Sequence, residues 1–149
     1  MQRQETDRQL QWLVDRAAIS DVIVAMARAL DERDGAAYAE LFTDDGVLEL
    51  GDLRIEGREA LADGVARNLG RYGAVWHLSS NHGIEIDGDR ASARSYVVGV
   101  HRHGDDLEQH ADMAGWYDTT LERTSAGWRL ASVSARVIWT GGSGPLPHE

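Results

Sequence analysis

The 149-residue chain is 42% apolar, contains no cysteine and carries a formal net charge of −10. That size and apolar share suit a single domain, 1–149, around one core, and the missing thiols exclude disulfides and thiolate metal or nucleophile sites. The acidity argues for a soluble surface and against nucleic acid as a partner, because such binding draws on clustered Lys and Arg.

The longest uncharged apolar stretch, Ile19 to Ala27, is broken by Asp21 and falls far short of the roughly 20 residues of a membrane helix. The first seven residues lack the apolar core of a secretory signal, so a cytoplasmic location is expected. Thr6 and Gln9 form a candidate capping box, followed by Ile19, Val22, Ile23, Met26 and Leu30 at helical spacing. The spacing predicts a long amphipathic helix to about Arg33. Asp34-Gly35 breaks it, Asp34 can cap the next segment, and Ala36 to Phe42 reads as a short second helix closed by Thr43 to Gly46.

Val47–Leu50 and Arg54–Glu56 read as short strands around Gly51-Asp52, and Arg58–Asn68 as a third helix despite Gly64. The chain then turns to sheet. Trp76–Ile86 and Ala91–His103 flank the turn Asp87-Gly88-Asp89, and Gln109–Arg123 and Trp128–Trp139 flank Thr124 to Gly127. The Gly/Pro-rich end, 141–149, is expected to be a flexible tail. Helices first and hairpin-linked strands after them predict an α+β fold, with N-terminal helices covering one face of a curved antiparallel sheet and leaving a pocket.

This order of elements, with "RAAISDVIVAMARALDERDGAAYAELFTDDGVLEL", "GREAL", "WHLSSNHGIEIDGDRASARSY" and "GWYDTTLERTSAGWRLASVSARVIWTGG", resembles the SnoaL-like branch of the nuclear transport factor 2-like superfamily across nearly the whole chain. The resemblance implies a cone-shaped, cystatin-like barrel. It is greatest to scytalone dehydratase, bile-acid dehydratase and hexachlorocyclohexane dehydrochlorinase, which pair an Asp late in the first helix with a His opening the central hairpin. Here those positions are Asp31 and His77, which the resemblance makes catalytic. The bile-acid enzyme's active-site Tyr falls on Met26, its hairpin Asp near Gly99, and its last-strand Arg on Arg136. A second histidine of scytalone dehydratase has its counterpart in His101 or His103, with His101 favoured. The resemblance implies no cofactor and a homodimer or homotrimer formed through the open sheet.

Each candidate has a plainer reading. Asp31 shares a helical face with Ile23, Val24 and Ala27, and without a partner it is a boundary carboxylate solvated at a helix end. His77 is an ordinary strand histidine unless a carboxylate holds one ring nitrogen, which fixes the tautomer and leaves the other nitrogen free to take a proton. Strict alternation puts Trp76, Leu78, Ile84 and Ile86 on the face opposite His77, so either the His77 face lines the pocket or a bulge near Gly83 changes the phase. Arg136 is either an oxyanion stabiliser or a surface or ion-paired Arg. Trp76, Met113, Trp116, Tyr117 and Trp139 read as core, although a pocket for a small hydrophobic molecule would draw its wall from the same residues, with Met26 and His101.

His101, His103, His110 and Asp112 raise a metal site, but their spacing fits no usual ligand pattern and none is expected. The leading expectation is a cofactor-independent lyase of the dehydratase type, in which Arg136 steadies negative charge. A polyketide cyclase or ketosteroid-type isomerase would reuse the same pair, and a non-catalytic small-molecule binder is the rival class.

Overall fold

A computed structural model describes residues 1–144 of the chain. Its elements are α1 (Gln2–Glu32), α2 (Gly35–Glu40), β1 (Phe42–Leu50), β2 (Leu53–Glu56), α3 (Arg58–Leu69), β3 (Ala74–Asp87), β4 (Arg90–Arg102), β5 (His110–Thr124) and β6 (Gly127–Gly142). The strands form one curved, unclosed sheet in the order β2-β1-β6-β5-β4-β3. Every neighbouring pair is antiparallel except β1–β6, which runs parallel because the helical excursion α3 and the hairpins β3–β6 separate the two in sequence.

Helix α1 buries the stripe Asp15, Ile19, Ile23, Met26 and Ala29, spaced by three and four residues, and packs chiefly on β3. It begins at Gln2 rather than at Thr6, whose hydroxyl bonds back to the Gln2 carbonyl inside the helix, so the expected capping box does not form. Val24, expected beside Asp31 at the buried stripe, is exposed. The helix ends where Arg33 turns left-handed at φ 55°. Asp34 then caps α2 by accepting a hydrogen bond from the Ala37 amide at 2.9 Å. That helix stops at Glu40, and Phe42 to Gly46, expected as helix end and loop, already belong to β1.

Strict alternation builds the inner face of the sheet. Ala91, Ala93, Ser95, Val97, Gly99 and His101 of β4 are buried, as are Ala111, Met113, Tyr117, Thr119 and Leu121 of β5. In β3 the pairing shifts between Ser80 and Gly83, with Asn81 at φ 53°. The His82 ring ties this bulge to α1 through Ser20 at 2.8 Å and to its own strand through Ser79 at 2.9 Å. The phase changes there, so His77 before the bulge and Ile84 and Ile86 after it all turn toward the helices.

Asp15 fastens α1 to the far end of the sheet. It accepts two hydrogen bonds from Arg123, at 2.6 and 2.9 Å, and one from the Trp128 indole at 3.1 Å. These donors hold its carboxyl well below the usual carboxylate range against the opposing effect of burial. Gly141 and Gly142, expected in a tail, pair with Asp112 and Ala111 as the end of β6; residues 145–149 of that expected tail lie outside the described residues.

Candidate active site

Between the inner face and the three helices lies a cavity of about 360 Å³. Its wall is largely aliphatic, from Leu30 of α1, Leu48 and Leu50 of β1, and Leu61, Val65 and Leu69 of α3. Such a volume and lining suit a small apolar molecule held by a few polar groups. The polar side chains on the wall are Tyr38, Asn68, His77, His101, Tyr117 and, at the rim, Arg136.

His77 reaches this wall from β3, and its Nδ1 lies 2.9 Å from Oδ1 of Asp31 near the end of α1. With the carboxylate as acceptor, Nδ1 carries the proton and donates, which leaves the Nε2 lone pair bare. The imidazole is 8% exposed, and the Asp31 carboxylate keeps partial contact with solvent. Directly across the hairpin stands Gly99, paired with His77 in register. A side chain there would press on the rings of both His77 and His101, so the glycine creates the space in front of Nε2.

His101 stands edge-on to His77, with ring centroids 5.3 Å apart. Its Nδ1 donates to the Ala111 carbonyl at 3.1 Å, so its Nε2 is also an acceptor. Burial, reinforced by the neighbouring His77, pushes its pKa down to about 4 and keeps the ring neutral at ordinary pH. Tyr117 moves the other way: burial first, then the charge of Asp31, pushes its phenol up to about 12. Tyr38 is raised further by burial, with a smaller contribution from Tyr117. The cavity therefore pairs two imidazole acceptors with two phenols that keep their protons.

Residues 11–134 match a protein family described as the SnoaL-like domain. The chain belongs to that family. An uncharacterised protein of Mycobacterium tuberculosis is 29% identical over 118 residues, covering 78% of this SnoaL-like chain and 80% of its own length. Among solved structures, a nuclear transport factor 2-like protein with a cystatin-like fold from Novosphingobium aromaticivorans superposes with a TM-score of 0.78 at 25% identity, covering 89% of this chain and 88% of that one. Hexachlorocyclohexane dehydrochlorinase LinA-type3 from Novosphingobium barchaimii does so with a TM-score of 0.78 at 22% identity, covering 93% and 96%.

The residues singled out in the sequence fall into two groups. Asp31, His77, His101, Met113 and Tyr117 come together at the cavity of the SnoaL-like domain, and His101 rather than His103 lines it. Trp76 and Trp139 do not: they are 54% and 53% exposed, on the outer face of the sheet. The cause for Trp76 is alternation, since its neighbours Val75 and His77 point inward. For Trp139 it is the register shift in the β5–β6 pairing, after which Trp139 sits opposite outward-facing Ala114.

Arg136 touches the cavity rim, but its guanidinium lies over the outer-face Trp116 ring at 5.7 Å, so it is not aimed at charge inside the cavity. Met26 is buried between α1 and the sheet and does not border the cavity. His110 pairs with Asp112 at 2.8 Å away from His101, and among the described residues no three His, Asp or Glu side chains converge on one point. Among the described residues, no helix is long and apolar enough to cross a membrane.

Sequence reasoning missed Tyr38, Asn68 and the aliphatic face of α3. The signal available for Tyr38 was its place four residues after the Asp34 cap, which turns it inward with Ala39. Nothing in the spacing of α3 says that its buried residues face a cavity rather than solid core.

Proposed function

We propose that this SnoaL-like protein is a cofactor-independent lyase of the dehydratase type, acting on a small hydrophobic hydroxy-ketone of polyketide or steroid-like character. The observation that carries the reading is the 2.9 Å contact between Asp31 and the Nδ1 of His77 on the wall of an apolar cavity. In the reaction, Nε2 of His77 takes the proton from the carbon beside the carbonyl, and the electron pair of that C–H bond forms an enolate. The enolate then expels the β-hydroxyl, whose oxygen recovers the proton from the imidazolium, giving water and an enone and restoring the neutral histidine. Asp31 holds the ring in orientation and balances its transient positive charge. Dehydrochlorination in the LinA-type3 neighbour is likewise an elimination, which agrees with a lyase on this fold.

A positioned base of this kind contributes around 10²–10⁴-fold, with orientation in the cavity adding to it. The test is enone formation from a panel of cyclic β-hydroxy-ketones, followed by ultraviolet absorbance. His77→Ala is expected to lose at least about 10²-fold in kcat/KM. Turnover that survives in His77→Ala removes the base from the mechanism. Equal ligand affinity with no turnover in either protein makes the cavity a binding site only.

A further inference from the structure

An enolate needs hydrogen-bond donors at its oxygen, and the cavity restricts which groups can supply them. His77 has its one N–H committed to Asp31, and His101 has its one N–H committed to the Ala111 carbonyl. Arg136 directs its guanidinium to the Trp116 ring outside, and Met113 has no donor. Tyr38 and Tyr117 remain, with Asn68 on α3.

Both tyrosines are more than nine-tenths buried, at 2% and 8% exposure, and both line the cavity. Neither phenol oxygen is seen hydrogen-bonded to a described residue, and neither is among the fully enclosed unpartnered atoms, so both can be reached from the cavity. Tyr117 shares the cavity wall with His77 and Tyr38, near enough to Asp31 for that carboxylate to act on its phenol.

We propose that Tyr117, assisted by Tyr38, donates the hydrogen bonds that receive the substrate's carbonyl oxygen as it becomes an enolate. The ligand class is the ketone of the proposed reaction, seated oxygen-first against the β5–α2 wall. This assignment rests on reading His77 as the base, since a carbonyl matters here because it acidifies the neighbouring C–H. A phenol keeps its proton throughout the neutral range, and burial of Tyr38 and Tyr117 does not change that, so both can donate to developing negative charge.

The test compares two probes of like shape, 2-naphthol, which mimics a dienol, and 2-methylnaphthalene, which lacks the oxygen. Binding of each is followed by quenching of tryptophan fluorescence. The wild-type protein is expected to prefer 2-naphthol by roughly 3- to 10-fold, the range of one neutral hydrogen bond. Tyr117→Phe should abolish that preference while binding 2-methylnaphthalene as before, and Tyr38→Phe should reduce it. Equal binding of the two probes by the wild-type protein overturns the assignment, as does a preference that survives in Tyr117→Phe.

A second measurement needs no variant: nuclear Overhauser contacts are expected between 2-naphthol protons beside its hydroxyl and the Tyr117 ring protons, and their absence also overturns it. The two proposals fail separately. An intact naphthol preference without enone formation sinks the lyase reading and leaves a ketone-binding wall. Enone formation that depends on His77 but not on Tyr117 sinks only the donor assignment.

Discussion

Gly99 offers the sharpest test of the proposed geometry. A methyl group added there would lie 3.1 Å from Cδ2 and 3.2 Å from Nε2 of His77, and 3.1 Å from Cε1 of His101. Relaxed contacts between such atoms begin at about 3.5 Å, so the imidazoles must give way by roughly 0.3–0.4 Å or more. His77 can retreat only by stretching its bond to Asp31, and His101 only by stretching its bond to Ala111. Overpacking of this kind costs about 1–3 kcal/mol, offset by about 0.4–1 kcal/mol from the stiffer unfolded chain. Gly99→Ala should therefore fold, melting only about 2–8 °C lower. Its effect on the proposed chemistry is larger, because the methyl both tilts the His77 ring and covers the nitrogen assigned as the base. A loss of roughly 10- to 100-fold in kcat/KM for enone formation is expected. Long-range ¹H–¹⁵N spectra should show altered His77 ring nitrogens. A Gly99→Ala protein with unchanged spectra and full activity would refute the claim that Nε2 works in the space Gly99 leaves open.

Other expectations concern stability and assembly. Asp15→Ala removes the acceptor shared by Arg123 and Trp128 and leaves the buried indole N–H unpaired. Because Arg123 is one-third exposed, we expect about 2–4 kcal/mol, seen as a lower urea midpoint; a loss under about 1 kcal/mol would contradict the clamp. Acid should weaken the fold in two stages. Between pH 6.5 and about 4 the unfolded chain takes a proton that buried His101 refuses, so stability falls as pH drops, by up to about 3 kcal/mol, and His82, lowered by burial, acts in the same direction. Below about pH 4 the contribution of Asp15, whose carboxyl is held low by Arg123, begins to be lost as well. Urea midpoints from pH 7 to 4 check this, and His101→Asn should flatten the first stage. On the outer face, Trp76, Leu78, Tyr96, Ile138 and Trp139 are exposed together, the surface through which the expected homodimer or homotrimer would form. The double change Trp76→Glu and Trp139→Glu should give a one-chain mass in light scattering, while a one-chain mass for the unaltered protein would contradict assembly altogether.

Much of the architecture was legible because it follows from local chemistry. Asp34 announces the cap of α2, Asp87-Gly88-Asp89 the β3–β4 turn, and the stripe from Ile19 to Met26 a helix with one buried face. Thr6 misled for an equally local reason: its hydroxyl has a second acceptor in the Gln2 carbonyl one turn back, and the helix simply continues through it. Two-residue alternation also read correctly within each strand. It failed across irregularities, at Asn81-His82 and near Ile138, where one or two extra residues reverse which side chains point inward. That is why Trp139 was placed in the wall and is found outside.

Residue types and their periods therefore determined that this chain makes helices, then hairpins, and a sheet with one buried face, since caps, turns and alternation act over a few neighbours. The meeting of Asp31 with His77, the outward turn of Arg136, and the entry of Tyr38 into the cavity wall beside Tyr117 were decided only in three dimensions. Each depends on bulge phase and on helix-to-sheet docking between residues far apart in the chain, and the pairwise contacts that fix those leave no mark in local spacing.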